Sequence, residues 1–336
     1  MFSMKNYKKV AVIGDGGWGT TLAILLHKKG VRVNLWGIFP EYIEILKTKR
    51  ENVKFLPGVK IPGDLFITSN LLEAVESTEI LVFAVPSQHM RDVVVQLKGV
   101  KTNGRFYLNS SKGIENRTLM RMSQVIRDVL GPVEVGALSG PTISYEAARG
   151  LPTTVVAASE NEEMAKEIQD LFMTENFRVY TNTDIIGVEL GGSLKNVIAI
   201  AAGISDGLGL GVNAKSALLV RGIVEIARLG VKMGARQETF FGISGLGDLI
   251  TTCVSPHGRN RWFGEEVGKG KNPDEALKST EMVVEGVGTA KSCYELSKKY
   301  NVEMPIAQQV YAVIYETKNP KFAVRDLMTR EKKAEI

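Results

Sequence analysis

Six residues near the N-terminus, Gly14-Asp15-Gly16-Gly17-Trp18-Gly19, constrain the fold more than any other part of the chain. They follow a short β-branched run, Lys9–Ile13, and precede a helical run, Thr20–Lys29, that Gly30 closes. A strand that turns through three spaced glycines into a helix has the form of a dinucleotide-binding turn. Gly14 permits the tight turn, Gly16 lets the backbone approach a pyrophosphate, and Gly19 lets helix and strand pack closely. The helix start then offers its N–H groups and positive dipole end to the anion. A glycine-rich turn without function is the bland alternative, and the placement between strand and helix argues against it. Asp15 is out of character, because an acid repels a phosphate; a local turn or cap hydrogen bond is expected for it.

The same alternation continues. Val31–Trp36, the continuous apolar run Glu79–Val85, Arg105–Asn109, Val133–Leu138 and Thr153–Ala157 read as strands, with helical patterns between several of them. This implies βαβ units and a doubly wound α/β sheet of Rossmann type. From Ile185 onward only helical patterns are expected: Gly187–Ala202, Ala214–Met233, Arg261–Lys269, Thr289–Tyr300 and Ile306–Tyr315. The expected domains are therefore a dinucleotide-binding domain over 1–186 and an all-helical substrate domain over 187–336. The tail from Arg330 to Glu335 is charged and expected to fray.

Composition narrows the function. Two cysteines, Cys253 and Cys293, exclude a disulfide framework and are expected to be buried small hydrophobes. Three dispersed histidines leave no zinc-ligand spacing, so no metal is expected. A net charge of +5 suits an anionic small molecule, and no basic-aromatic stripe suggests nucleic acid. No signal-peptide core and no membrane-spanning run are expected, which points to a soluble, cytoplasmic protein.

Several strands end in polar loops, Val85-Pro86-Ser87, Ser110-Ser111-Lys112-Gly113 and Ser139-Gly140-Pro141-Thr142, where open α/β sheets bind ligands. Lys112 brings a cation there, unless it is simply a solvated loop lysine. The second strand ends Trp36-Gly37-Ile38-Phe39-Pro40, without the acid that holds an NAD ribose or the arginine that meets an NADP phosphate. The cofactor is left as NAD or NADP, with weak discrimination expected. In the helical half, Gly191 and Gly192 lie one turn before Lys195, so a ligand can approach this lysine closely; a lysine snorkelling at a helix seam is the alternative. Asp248 stands in what reads as a tight glycine turn, and Arg259 and Asn260 open a helix, where they suit a phosphate. Arg261 reads as a solvated helix residue.

Together the motifs GDGGWGT (14–20), FLPG (55–58), VPS (85–87), SKG (111–113), LSGPT (138–142), GGSLKNVIAIAAG (191–203), GLGDL (245–249), GRNRWFG (258–264) and VVEG (283–286) span nearly the whole chain. In this set the chain resembles the NAD(P)-dependent glycerol-3-phosphate dehydrogenases. The resemblance implies an oxidoreductase interconverting dihydroxyacetone phosphate and sn-glycerol 3-phosphate, which supplies the glycerol backbone of phospholipids, and a homodimer. It implies Lys195 as general acid/base. It implies a substrate shell of Lys112, Gly140, Thr142, Asp248, Gly258, Arg259 and Asn260. It implies cofactor contacts from Gly14, Gly16, Gly17, Trp18, Gly19, Phe55, Lys112, Ser144, Arg259, Val283 and Glu285. Three positions depart from the family pattern. Asp15 replaces a small residue, Ile38-Phe39 replaces a basic one, and Gly258 replaces a serine, so that only its backbone is left to serve. A β-hydroxyacid dehydrogenase of the same plan and a non-catalytic nucleotide sensor are the rival readings; Lys195 and Arg259 both argue against the sensor.

Overall fold

The computed structural model describes residues 9–100, 104, 106–332 and 334. It divides into two compact units, Met1–Lys112 with Met120–Glu189, and Gly113–Leu119 with Leu190–Ile336. The division falls inside one helix, Ile185–Gly207, and assigns the short segment 113–119 to the second unit. Arg105, at the start of one expected strand, lies outside the described residues, as do Met1–Lys8 and parts of the charged tail.

Among the described residues the first unit is built on eight strands: β1 (Val10–Ile13), β2 (Val33–Trp36), β3 (Phe66–Thr68), β4 (Ile80–Phe83), β5 (Phe106–Asn109), β6 (Val135–Ser139), β7 (Thr153–Ala158) and β8 (Phe177–Asn182). Their order in the sheet is β3-β2-β1-β4-β5-β6-β7-β8. The first six give the 3-2-1-4-5-6 order of a dinucleotide-binding fold, and all are parallel. Alternate residues of the central strands enter two separate cores: Val10, Val12, Ile80 and Val82 on one face, Ala11, Ile13, Leu81 and Phe83 on the other. Burial on both faces is why these strands read as continuous apolar runs instead of alternating ones.

The sequence does not show two of the strands. β3 has only three residues, and β8 lies at the sheet edge with an exposed alternate face. β7 also runs antiparallel to β6. Between them lies a five-residue helix, Ser144–Ala148, tied to the helix after β1 (α1, Gly17–Lys28) by a bond from Thr21 Oγ1 to the Ser144 carbonyl at 3.1 Å. So short a helix does not carry the chain back across the sheet, and β7 returns in the opposite direction.

Among the described residues the second unit has no named strand. Its long helix, Ile185–Gly207, is apolar and long enough to cross a membrane by length and composition, but Glu189 and Lys195 interrupt it and 89% of its most apolar 18-residue stretch is buried inside the protein, as in a core helix. Four glycines bring it against the helix Arg259–Gly268. A Cβ at Gly203 would collide with the Arg261 carbonyl and one at Gly264 with the Ile200 carbonyl, and Gly207 and Gly268 repeat the arrangement one turn on. Backbone thus packs on backbone, a spacing no larger residue allows.

A second helix pair contains a buried acid. Glu225, on Gly211–Lys232, accepts from the Ile306 and Ala307 N–H groups (2.9 and 3.4 Å) at the start of Pro305–Tyr315, capping that helix from outside. Burial pushes its carboxyl up to about 7 against the pull of these N–H groups. The folded state thus holds the proton more tightly than the unfolded chain, whose ordinary value is 4.5. This contribution to stability is complete below that value and is lost as pH rises through about 7. Glu225→Gln should therefore gain on the natural protein between pH 5 and pH 8, read as urea midpoints at the two pH values. A constant gap would mean that Glu225 stays ionised throughout.

Candidate active site

In the first unit the glycine turn is dictated by its own surroundings. Gly14 has φ +123°, and a Cβ there would lie 2.6 Å from the Ala84 carbonyl at the end of β4. A Cβ at Gly17 would lie 2.6 Å from the Phe55 carbonyl, and one at Gly19 would collide with the Gly14 carbonyl. Gly16 differs: among the described residues nothing lies within 4 Å of its missing Cβ. It caps α1, so the space beside the first amides of that helix is open to an anion. These features fit a dinucleotide phosphate. Phe55 and the Ser144 side chain border Gly17, and Trp18 stacks on Phe177 with ring centroids 6.3 Å apart.

Other strand-end loops of this unit meet beside one another. Ser110 N–H donates to the Phe83 carbonyl (2.8 Å), and Ser111 Oγ to the Val85 carbonyl (2.6 Å). Lys112 Nζ donates to the Gly140 carbonyl at 2.8 Å and to Thr142 Oγ1 at 3.0 Å. The bland reading of Lys112 as a solvated loop lysine is thereby set aside: its ammonium ties the loop after β5 to the loop after β6.

Asp15 also departs from expectation. Its Oδ2 is fully buried and has no hydrogen-bond partner among the described residues. Burial pushes its carboxyl up to about 6, with its own backbone N–H pulling the other way. A cap hydrogen bond to the helix is not what it makes.

In the second unit Lys195 is 5% exposed and does not snorkel. Its Nζ pairs with Asp248 Oδ1 at 2.9 Å and bonds Thr252 Oγ1. Asp248 is not in a loop turn: it begins the helix Asp248–Val254, after a π-helical turn over Ile243–Gly247. That turn fits against the long helix because Gly191 has no side chain; a Cβ there would lie 3.0 Å from the Ser244 carbonyl. The small face around Lys195 therefore admits the segment that carries its counter-charge. Sequence reasoning missed Thr252, although it stands four residues after Asp248 on one helix face.

Gly258 caps the helix that carries Arg259 and Asn260. Its N–H donates to the Ser255 carbonyl (3.3 Å) and its carbonyl accepts from Trp262 N–H (2.8 Å), so its backbone serves the helix start. A side chain there would come within 2.9 Å of the Thr252 carbonyl. Asn260 is buried; its Nδ2 donates to Asn196 Oδ1 and its Oδ1 accepts from Gly286 N–H, both at 2.9 Å. Asn196, next to Lys195, is a second residue the sequence reading passed over. Arg259 stays largely exposed, so crowding, which lowers its pKa against the pull of Glu285, leaves the guanidinium charged. Glu285 begins the helix Glu285–Lys299, and Val283 before it is exposed. Arg261 is not solvated: its Nε pairs with Asp206 Oδ2 at 2.7 Å. Cys253 and Cys293 are buried, and burial pushes the Cys253 thiol up to about 12, which leaves it unreactive.

Two family profiles match the chain: the NAD-dependent glycerol-3-phosphate dehydrogenase N-terminus over residues 9–165 and the C-terminus of the same family over 184–325. A glycerol-3-phosphate dehydrogenase (NAD(P)+) of Fusobacterium nucleatum is 50% identical over 330 residues, covering 98% of both chains. The chain belongs to the NAD(P)-dependent glycerol-3-phosphate dehydrogenase family. A Chlorobium limicola relative of the same name is 49% identical and covers 97% of this chain and 99% of its own. The crystal structure of glycerol-3-phosphate dehydrogenase from Coxiella burnetii superposes with a TM-score of 0.93 at 36% identity, covering 96% of this chain and 99% of that one. A ketopantoate reductase from Ralstonia eutropha, at 13% identity and a TM-score of 0.59, shares the fold alone.

A buried pair broken on one side leaves an uncompensated charge, which costs about 3–5 kcal/mol. Asp248→Asn should destabilise the protein by about that much, and Thr252→Val by less, about 1.5–3 kcal/mol for one bond to a charged group. Urea unfolding of both variants checks this. If Asp248→Asn cost no more than Thr252→Val, the ion pair would not be what holds Lys195.

Proposed function

We propose that the protein interconverts dihydroxyacetone phosphate and sn-glycerol 3-phosphate with Lys195 as the proton donor and acceptor. The activity is that of a glycerol-3-phosphate dehydrogenase using NAD(P). The assignment of residues rests on one observation above all: an ammonium buried on a glycine-lined face, with two of its three donors held by Asp248 and Thr252. Its third donor is available to a substrate oxygen.

The dinucleotide, when bound, supplies the hydride that reduces the ketone carbon. As that carbon is reduced, its oxygen gains negative charge. Lys195 stabilises this charge and delivers a proton to it. In the reverse direction the same nitrogen takes the hydroxyl proton. Asp248 and Thr252 fix the direction of the ammonium, so that it need not reorganise during the reaction. Arg259 holds the substrate phosphate through charge-assisted hydrogen bonds, and Asn260 keeps the start of that helix in place through Asn196 and Gly286. Remote binding energy at the phosphate thus positions the carbonyl. In the first unit, Lys112 orders the Gly140-Thr142 loop, and the α1 start receives the pyrophosphate. The protein acts as a homodimer in this reading.

Lys195→Met should lower kcat by at least about 10²–10⁴-fold, the loss typical of a general acid/base, while dinucleotide affinity survives. Since the single change strands Asp248, Lys195→Met with Asp248→Asn serves as the folded control. Near-normal kcat in either variant would remove Lys195 from the chemistry and turn attention to Lys112.

Arg259→Ala should weaken dihydroxyacetone phosphate by roughly 1.5–3 kcal/mol in kcat/KM and leave the poor reaction of unphosphorylated dihydroxyacetone nearly unchanged. Equal harm to both substrates would assign Arg259 to the cofactor or to structure.

A further inference from the structure

We propose that Asp15 selects the cofactor: its carboxyl group takes the adenosine ribose of NAD(H) through the hydroxyl pair and excludes the 2′-phosphate of NADP(H). This rests on the reading that the glycine turn before α1 binds the dinucleotide.

Dinucleotide folds place an acid at the end of β2 to hold the ribose 2′-hydroxyl, or an arginine to receive a 2′-phosphate. Here β2 ends at Trp36 and is followed by Gly37, then by Ile38 and Phe39, which are 54% and 64% exposed. Neither charge comes from this strand. The carboxyl group comes instead from the neighbouring turn. A Cβ on Gly37 would collide with both Oδ2 and Cγ of Asp15, so the Asp15 carboxyl occupies the place that a side chain at position 37 would otherwise fill. The glycine at 37 and the acid at 15 are thus one feature: each makes room for, or use of, the other.

The position of Asp15 is fixed by its backbone. Its carbonyl accepts from Asn52 Nδ2 at 2.7 Å and from Thr20 Oγ1 at 3.2 Å. Asn52 is fully buried and is held in turn by Tyr42, whose hydroxyl donates to Asn52 Oδ1 at 2.6 Å. Against this order, Oδ2 has no partner at all. A buried, unsatisfied carboxylate oxygen is costlier than the neutral groups the fold also leaves unpaired, such as Trp18 Nε1 and Ser139 Oγ. Asp15 as a residue is only half-buried, so a turn of the carboxyl group about its side-chain bonds brings it to a diol, which supplies the missing donors; the raised pKa is that of a carboxyl lacking them. A 2′-phosphate at the same place brings like charge to a poorly solvated site, which is the repulsive half of a specificity device.

The test is a fluorescence titration of NADH and NADPH on the purified full-length protein and on its Asp15→Ser and Asp15→Asn variants. Steady-state kcat/KM for each cofactor with dihydroxyacetone phosphate is measured alongside. The natural protein should bind NADH about tenfold or more tightly than NADPH, the scale of one charged contact. Both variants should narrow that ratio by about the same factor, in Asp15→Ser through weaker NADH and tighter NADPH together. A thermal midpoint close to that of the natural protein in Asp15→Asn, which keeps the shape of the side chain, shows that the fold is retained. A natural protein that prefers NADPH, or a folded variant with an unchanged ratio, would overturn the assignment while leaving the glycine turn as the dinucleotide site. Binding of neither dinucleotide would overturn both.

Discussion

The pairing of Lys195 with Asp248 sets terms that much of the helical unit has to meet. Two opposite charges, 5% and 1% exposed, are far from the solvent that would stabilise them separately. They persist only if each has the other and further hydrogen bonds, which Thr252 provides on one side. To bring them together, the π-turn before Asp248 must lie directly on the long helix. Gly191 allows this on the helix, while Gly245, where a Cβ would collide with the Phe240 carbonyl, lets the turn close on the residues just before it. The apolar character of Ile185–Gly207 follows from the same arrangement. A helix surrounded on nearly every side must be apolar nearly all round, and its polar residues Lys195 and Asn196 each meet a specific partner, Asp248 and Asn260.

Glycine does two kinds of work in this chain. In the helical unit Gly203, Gly207, Gly264 and Gly268 exist because backbone meets backbone. In the sheet unit Gly14, Gly17 and Gly19 answer to the same rule, each facing a carbonyl that leaves no room for a methyl group. Of the glycines in this turn, only Gly16 faces open space among the described residues. The absence of a side chain there is explained by something that approaches from outside, and the amides of the helix start make an anion the natural visitor. The contrast within one six-residue turn separates what the fold requires from what a ligand requires.

Much of the plan was legible from sequence because it depends on patterns that are local. The strands β1 and β4 are buried on both faces and so read as apolar runs, while β2 reads from its alternation. The long helices repeat their apolar positions over several turns. What stayed hidden depends on tertiary context. β8 is an edge strand whose alternation is weak, and β3 is three residues long. The glycines before Asp248 read as a loop, but packing against Gly191 winds them into a π-turn that runs straight into a helix. Arg261 carries no local sign that Asp206, far away in sequence, will pair with it. Motif residues such as Lys195, Lys112 and Arg259 could be picked out beforehand. That Lys195 leans on Thr252, that Asn260 is bound to Asn196, and that Asp15 reaches across to Gly37 required coordinates.

The claim on which the chemistry turns is that the Lys195 ammonium keeps Asp248 and Thr252 and offers its remaining donor to the substrate oxygen. A crystal structure of the full-length protein with bound dinucleotide and dihydroxyacetone phosphate tests it most directly. The expected result places Lys195 Nζ within ~3.2 Å of the substrate carbonyl oxygen, with the contact to Asp248 retained and the phosphate on Arg259. A carbonyl oxygen held by other groups, with Lys195 turned wholly toward Asp248 and Thr252, would contradict it and reduce the pair to a structural element of the helical unit.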